Sequence, residues 1–219
     1  MEKTRVKPIL RWSTSFERGV GKVEGGSMLK LAVFASGGGT NLQALIDACQ
    51  SKAIDAAIVA VISNNSKAFA LERAKMAGID TFHISKKKYP DENEYIQTIV
   101  DVLTNYNIDL IVLAGYMKLL PPVVVRKYYG RIINIHPALL PKFGGEGMYG
   151  LNVHKAVLEA GEKYSGASVH IVDEKYDHGP ILIQRRVPVL PDDTPETLAA
   201  RVLEVEHKIL PMAVSLFKK

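Results

Sequence analysis

From Leu29 onward, continuous apolar runs alternate with stretches in which apolar positions recur every three to four residues. The runs at 29–35, 56–62, 79–84 (the weakest), 108–114 and 132–136 predict strands, the fourth apolar apart from Asp109. Between them, helices are predicted from the glycine-rich turn 36–41 through about Lys52, over 67–77 with Gly78 just past its end, and over 91–106. In the last of these, Ile96, Ile99, Val100 and Leu103 fall on one helical stripe. Strands that are apolar throughout and separated by helices predict an α/β fold: an open, mostly parallel, doubly wound sheet flanked by helices. After Pro141 the pattern loosens. Residues 143–150 hold four glycines and read as a mobile loop, and 152–160 as a short helix closed by Gly161. Strands follow at 168–172 and 181–189, joined by 173–180. A final helix starts after Asp193 or Thr194 with Pro195 in its first turn and carries the stripe Leu198, Val202, Val205 and Ile209.

Composition narrows the classes. The 219 residues fit one domain, expected over 28–219, and 47% hydrophobic residues can fill its core. No run of about 18 apolar residues occurs, so no membrane span is expected. The net charge of +5 is uneven: residues 1–27 hold six basic residues against three acidic, which leaves +2 for the body. That is too little for a nucleic-acid surface and suits a small anionic substrate. Residues 1–27 show no sustained period, end in Gly25-Gly26-Ser27 and read as a poorly ordered extension. They lack the apolar core of a secretory signal, and their acids speak against a transit peptide. Cys49 falls on the stripe Leu42, Leu45, Ile46 and reads as a core thiol. A single cysteine excludes an intrachain disulfide and a Cys-rich zinc site, and suits a reducing cytoplasm.

Candidate chemistry gathers at the ends of the predicted strands. In Ile132–His136, Asn134 and His136 share one face, and Pro137 stops the ladder right after them. An amide donor and an imidazole thus stand together at the edge where open α/β sheets bind ligands. The turn Gly37-Gly38-Gly39-Thr40-Asn41 offers closely spaced N–H groups at a helix start, a setting that attracts phosphate. It lacks the third glycine of a dinucleotide fingerprint, where Leu42 stands, and has no Gly-Lys-Ser/Thr. Met117, Lys118, Leu119 and Leu120 follow another strand end, as core or as the wall of a heterocycle site. Asp177, in Tyr176-Asp177-His178-Gly179-Pro180, is a carboxylate that could orient an imidazole, with Asp173 and Glu174 as competitors and His178 expected to be exposed. Glu206 borders the buried stripe of the last helix, from where it either reaches water or holds a substrate amine. His83, His154, His170 and His207 show no metal-ligand spacing, so no metal site is expected.

Four segments occur in order and at family spacing: Gly37-Gly38-Gly39-Thr40-Asn41-Leu42-Gln43, Leu113-Ala114-Gly115-Tyr116-Met117, Asn134-Ile135-His136-Pro137-Ala138-Leu139-Leu140-Pro141 and Asp177-His178-Gly179-Pro180. Over about 29–215 the chain resembles the phosphoribosylglycinamide formyltransferase family. The resemblance implies transfer of the formyl group of 10-formyltetrahydrofolate, a co-substrate, to the amine of glycinamide ribonucleotide in purine synthesis. It implies a catalytic trio of Asn134, His136 and Asp177. Gly39, Thr40 and Asn41 would bind the substrate phosphate, and Leu203, Glu204, Val205 and Glu206 the glycinamide end. Met117, Lys118, Leu119, Leu120, Asn134, Asp173, Glu174, Lys175, Tyr176 and Asp177 would form the folate site. Glu92 stands where some relatives carry an arginine near the folate's glutamate tail. Asn134 and a protonated His136, kept charged by Asp177, would stabilise a tetrahedral oxyanion with no covalent intermediate. No metal, nucleic acid or membrane is implied, and the protein is expected in the cytoplasm as a monomer or homodimer. Methionyl-tRNA formyltransferase would need a further tRNA-binding domain, and formyltetrahydrofolate deformylase an N-terminal regulatory one for which 1–27 is too short. A non-catalytic phosphate-binding module would leave the trio without a task.

Overall fold

Residues 28–218 are described by the computed structural model, so the extension expected at 1–27 lies outside the described residues. In chain order the elements are β1 (Leu29–Phe34), α1 (Thr40–Gln50), β2 (Ala56–Ser63), α2 (Phe69–Met76), β3 (Asp80–His83), α3 (Glu92–Asn105), β4 (Leu110–Leu113) and α4 (Pro122–Lys127). Then come β5 (Ile132–His136), α5 (Leu151–Glu159), β6 (Tyr164–Ile171), β7 (Ile181–Pro188) and α6 (Pro195–Val214). One sheet of seven strands has the order β3-β2-β1-β4-β5-β6-β7. The first five strands are parallel, and β6 and β7 add on as antiparallel neighbours.

The strands read as unbroken apolar runs because both faces of the sheet are covered. Leu31, Val33 and Ala35 pack with Leu42 and Leu45 of α1, Leu71 of α2 and Leu198 of α6. On the other face Ala32 and Phe34 meet Ile99 and Leu103 of α3 and Val124 of α4. The same alternation continues in β5, where Ile133 and Ile135 join the first layer and Ile132 the second. Asn134 and His136 follow Ile132 on that second face, beyond the last apolar residue that it contributes. From β1 the chain runs outward through β2 to β3, then returns across β1 to β4 and β5. Loops at the C-terminal ends of β1 and β4 therefore diverge, which opens a crevice at the switch point.

Two elements depart from the sequence reading. Helix α4 was not predicted: it has six residues and opens after Pro121 with Pro122 in its first turn, too short to display a helical period. Strand β6 begins at Tyr164, not at 168, and ends at Ile171. Its first half, Tyr-Ser-Gly-Ala, carries no apolar run, and it is a strand because β7 pairs with it from Pro188 to Arg185. Gly166 allows that pairing, since a Cβ there would lie 2.0 Å from the Arg185 carbonyl oxygen. Among the described residues no helix is long and apolar enough to cross a membrane.

Candidate active site

The loops after β1, β4 and β5, the segment 143–150, the β6–β7 connection and one face of α6 enclose a cavity of about 880 Å³. Its first end is the glycine turn. Gly39 caps α1 with φ +72°, and a Cβ on it would lie 2.7 Å from Ala70 Cα, so both its conformation and its contact with α2 require glycine. No side chain caps α1, which leaves the helix N-terminus to whatever the cavity holds.

Beside the turn, Asn41 Nδ2 donates to Glu206 Oε2 at 2.6 Å. Glu206 is 7% exposed, and burial raises its pKa against the opposing bond from Asn41. Of the four α6 residues expected at this end, Leu203 and Glu206 line the cavity. Glu204 is exposed, and Val205 packs against the core. The helical turn explains the correction: positions three apart share a face, while the two between them point elsewhere. Because the folded protein favours the protonated form of Glu206, the stabilisation from this group is present at low pH and is lost as pH rises through the folded pKa. Glu206→Gln, which never ionises, should therefore raise the thermal midpoint of the ligand-free protein more at about pH 8 than at about pH 5. Equal gains at both values would mean that Glu206 ionises without cost.

At the centre of the cavity stand Asn134, His136, His170 and Asp177. Asn134 Nδ2 lies 3.1 Å from His170 Nε2 and 3.2 Å from Asp177 Oδ1. His136 Nε2 is 2.7 Å from the Phe143 carbonyl oxygen, which makes Nε2 the protonated nitrogen, and Nδ1 faces Asp177 Oδ2 at 3.4 Å. Gly145 N–H donates to the same Asp177 oxygen at 3.0 Å, so the first half of the glycine-rich segment is tied to the site. Asp177 itself sits at φ +51°, a conformation that Asp and Asn tolerate better than other side chains.

Burial works against the charge of both groups, with different outcomes. In His136 burial outweighs the pull of Asp177 and the Phe143 carbonyl, and His170 adds repulsion, so its pKa falls below that of ordinary histidine. That direction disfavours a charged ring near neutral pH, against the expectation that Asp177 keeps it charged. In Asp177 burial raises the pKa, but His170, His136 and the Gly145 N–H together hold the carboxyl below the usual range. The competitors are engaged elsewhere: Asp173 Oδ2 pairs with exposed His178 at 2.8 Å, and Glu174 with Arg126 at 2.9 Å.

The far end of the cavity mixes apolar and charged side chains. Met117 and Leu119 are half-exposed and line it, whereas Leu120 is buried in the core layer and touches the cavity from there. Lys118, Asp173, Glu174, Lys175 and Tyr176 also border this end. Among the described residues no group of three or more His, Cys, Asp or Glu side chains is arranged to hold a metal ion.

Residues 29–214 match the family described as formyl transferase. The chain belongs to the formyl transferase family. Among its relatives there, the phosphoribosylglycinamide formyltransferase of Haemophilus influenzae is 44% identical over 190 residues, which cover 87% of each chain. The crystal structure of glycinamide ribonucleotide transformylase 1 from Symbiobacterium toebii matches with a TM-score of 0.83 and 40% identity, covering 92% of both chains. A formyltetrahydrofolate deformylase from Pseudomonas syringae pv. tomato is more distant. Its TM-score is 0.76 at 28% identity, over 86% of this chain and 60% of that one.

Against this family background, the structure brings all three members of the expected trio to one point. It also adds two groups that the sequence reading did not place there. His170 stands directly opposite Asn134 in the β5–β6 register, and the Phe143 carbonyl comes from a loop. The sequence signal for His170 was its place in an apolar strand, where a buried imidazole needs partners.

Proposed function

We propose that the cavity holds glycinamide ribonucleotide and 10-formyltetrahydrofolate side by side and transfers the formyl group from the folate to the ribonucleotide amine. The observation that carries this reading is the position of Asn134, His136 and Asp177 between the glycine turn at the start of α1 and the segments 117–120 and 173–177 within one cavity. The turn at Gly39, Thr40 and Asn41 takes the phosphate on backbone donors at a helix N-terminus, to which the Thr40 and Asn41 side chains add. Leu203 and Glu206 border the ribonucleotide. Met117 to Leu120 and 173–177 wall the folate.

Attack of the amine on the formyl carbon forms a C–N bond and leaves charge on the formyl oxygen. Asn134 is the donor to that oxygen. Its Nδ2 lies within hydrogen-bond reach of His170 Nε2 and of Asp177 Oδ1. Asp177, ionised and next to the reacting atoms, receives the proton that the amine must lose and passes it to the folate nitrogen as the old C–N bond breaks. A protonated carboxyl is a weaker acceptor, so the same transfer loosens the Asn134 N–H for the oxyanion. His136 presents a bare Nδ1 to Asp177 and can share that proton at the moment when charge is largest. No covalent intermediate on the chain is needed. A reducing cytoplasm suits the lone, half-buried Cys49.

The test is release of tetrahydrofolate from its 10-formyl form, followed by absorbance, with different acceptors. Release that depends on glycinamide ribonucleotide supports the reading. Release at the same rate with water alone, yielding formate, would make the protein a deformylase. Thr40→Ala and Asn41→Ala should raise KM for the ribonucleotide and leave KM for the folate unchanged, because the phosphate is bound alike in ground and transition states. A rise in folate KM alone would place the phosphate elsewhere.

A further inference from the structure

The turn between β1 and α1 has its carbonyls and its N–H groups on different business. The Gly37 carbonyl accepts from Ala70 N–H at 3.0 Å, the Gly38 carbonyl from Arg73 Nε at 2.8 Å, and the Gly39 carbonyl from Gln43 N–H at 2.9 Å. A trans peptide is planar, and its N–H points opposite to its C=O. Three carbonyls held by the protein therefore turn the N–H groups of Gly38, Gly39 and Thr40 away from those partners, and these residues line the cavity. Among the described residues none of those three N–H groups has a protein acceptor.

Two of the three anchors are backbone N–H groups. The third is a side chain, and it is held on several sides. The Arg73 guanidinium lies 4.9 Å over the ring of Phe69, and its NH1 donates to Gln43 Oε1 at 3.1 Å. Gln43 is in turn fixed by donating to Asp47 at 2.9 Å. Arg73 does not line the cavity, so it acts on a ligand there only through the peptide that it holds. The approach of Gly39 to Ala70 leaves that peptide little room to rotate toward α2.

We propose that Arg73 is a positioning residue for the anion turn: by holding the Gly38 carbonyl it aims the Gly39 N–H at the ribonucleotide phosphate. The inference rests on the phosphate assignment made under the proposed function. It assigns to α2, an element outside the cavity, a share of substrate affinity.

Two variants test it. Arg73→Met keeps an apolar stem near Phe69 and removes every donor. Arg73→Lys keeps the charge but replaces the two-pronged fork by a point donor. In Arg73→Met, KM for glycinamide ribonucleotide should rise about ten- to hundredfold, the worth of one hydrogen bond to a charged group. The kcat at saturation and the folate KM should stay at wild-type values. Arg73→Lys should lose most of the same affinity, and added salt should not remove the difference from wild type. A wild-type KM in Arg73→Met overturns the inference. So does full affinity in Arg73→Lys, which would make the arginine a distant charge. Tetrahydrofolate binding reports folding, and if Arg73→Met fails that check, Arg73→Lys decides alone. If Thr40→Ala and Asn41→Ala raise the ribonucleotide KM while the Arg73 variants do not, the phosphate assignment stands and this inference falls. If none of the four raises it, the phosphate assignment itself fails.

Discussion

Asp177→Asn should lower kcat by about 10²- to 10⁴-fold, the usual worth of general acid–base assistance, and leave ribonucleotide affinity near wild type. Asparagine suits the test because it tolerates the positive φ of this position and matches aspartate in size. What it loses is the charge and one acceptor. Asp177 accepts from Asn134 on one oxygen and from Gly145 on the other, where it also faces His136 Nδ1. An amide can serve only one of these sides as acceptor, and it takes no proton from an ammonium or amine near neutral pH. The phosphate turn lies on a separate loop after β1, so binding there should not feel the change. Steady-state kcat together with equilibrium binding of the ribonucleotide makes the comparison. A kcat within a few-fold of wild type, far short of that range, would leave Asp177 as a structural latch for the 143–150 segment. Asp173 and Glu174 could not easily inherit the task, since each is paired on the exposed side of the loop.

The second large effect is expected at Asn134. Removing one preorganised donor to an oxyanion costs about 10²- to 10³-fold in kcat, so Asn134→Ala should fall in that range with both KM values little changed. The donor acts on an atom that bears charge only in the transition state, which is why the loss should appear in kcat. His170 separates this role from mere packing. It holds the Asn134 amide from the neighbouring strand, with its own Nδ1 donating to the Ile171 carbonyl. If Asn134 were only a strand residue that satisfies His170, Asn134→Ala would lower the unfolding midpoint and leave turnover per folded molecule near wild type.

Much of the architecture was legible because its causes are local. Apolar runs buried on both faces announced β1, β2, β4 and β5, and Ile132–His136 was placed to the residue because Pro137 ends it. The shared face of Asn134 and His136 follows from the two-residue repeat of a strand. The start of α6 was legible in Thr194 and Pro195, which form its cap and first turn. What the sequence hid depends on partners far along the chain. Glu206 looked like a boundary residue, yet it is buried, and its partner Asn41 is 165 residues away. His170 meets Asn134 only once the antiparallel register of β5 and β6 is known. The charge on His136 could not be read from a nearby carboxylate alone, since burial opposes Asp177 and prevails. The contact of Arg73 with the Gly38 carbonyl exists only because α2 packs against the turn.

The measurement that bears most directly on the account is the fate of the formyl carbon. Wild-type protein is given 10-formyltetrahydrofolate labelled with ¹³C in the formyl group, together with glycinamide ribonucleotide, and both small molecules and protein are weighed by mass spectrometry. The account predicts that the label appears on the ribonucleotide, with none on the chain at any time, and that Asn134→Ala and Asp177→Asn slow its appearance together. Label that accumulates as formate while the ribonucleotide stays unmodified, or that passes through the protein first, would contradict direct transfer in this cavity.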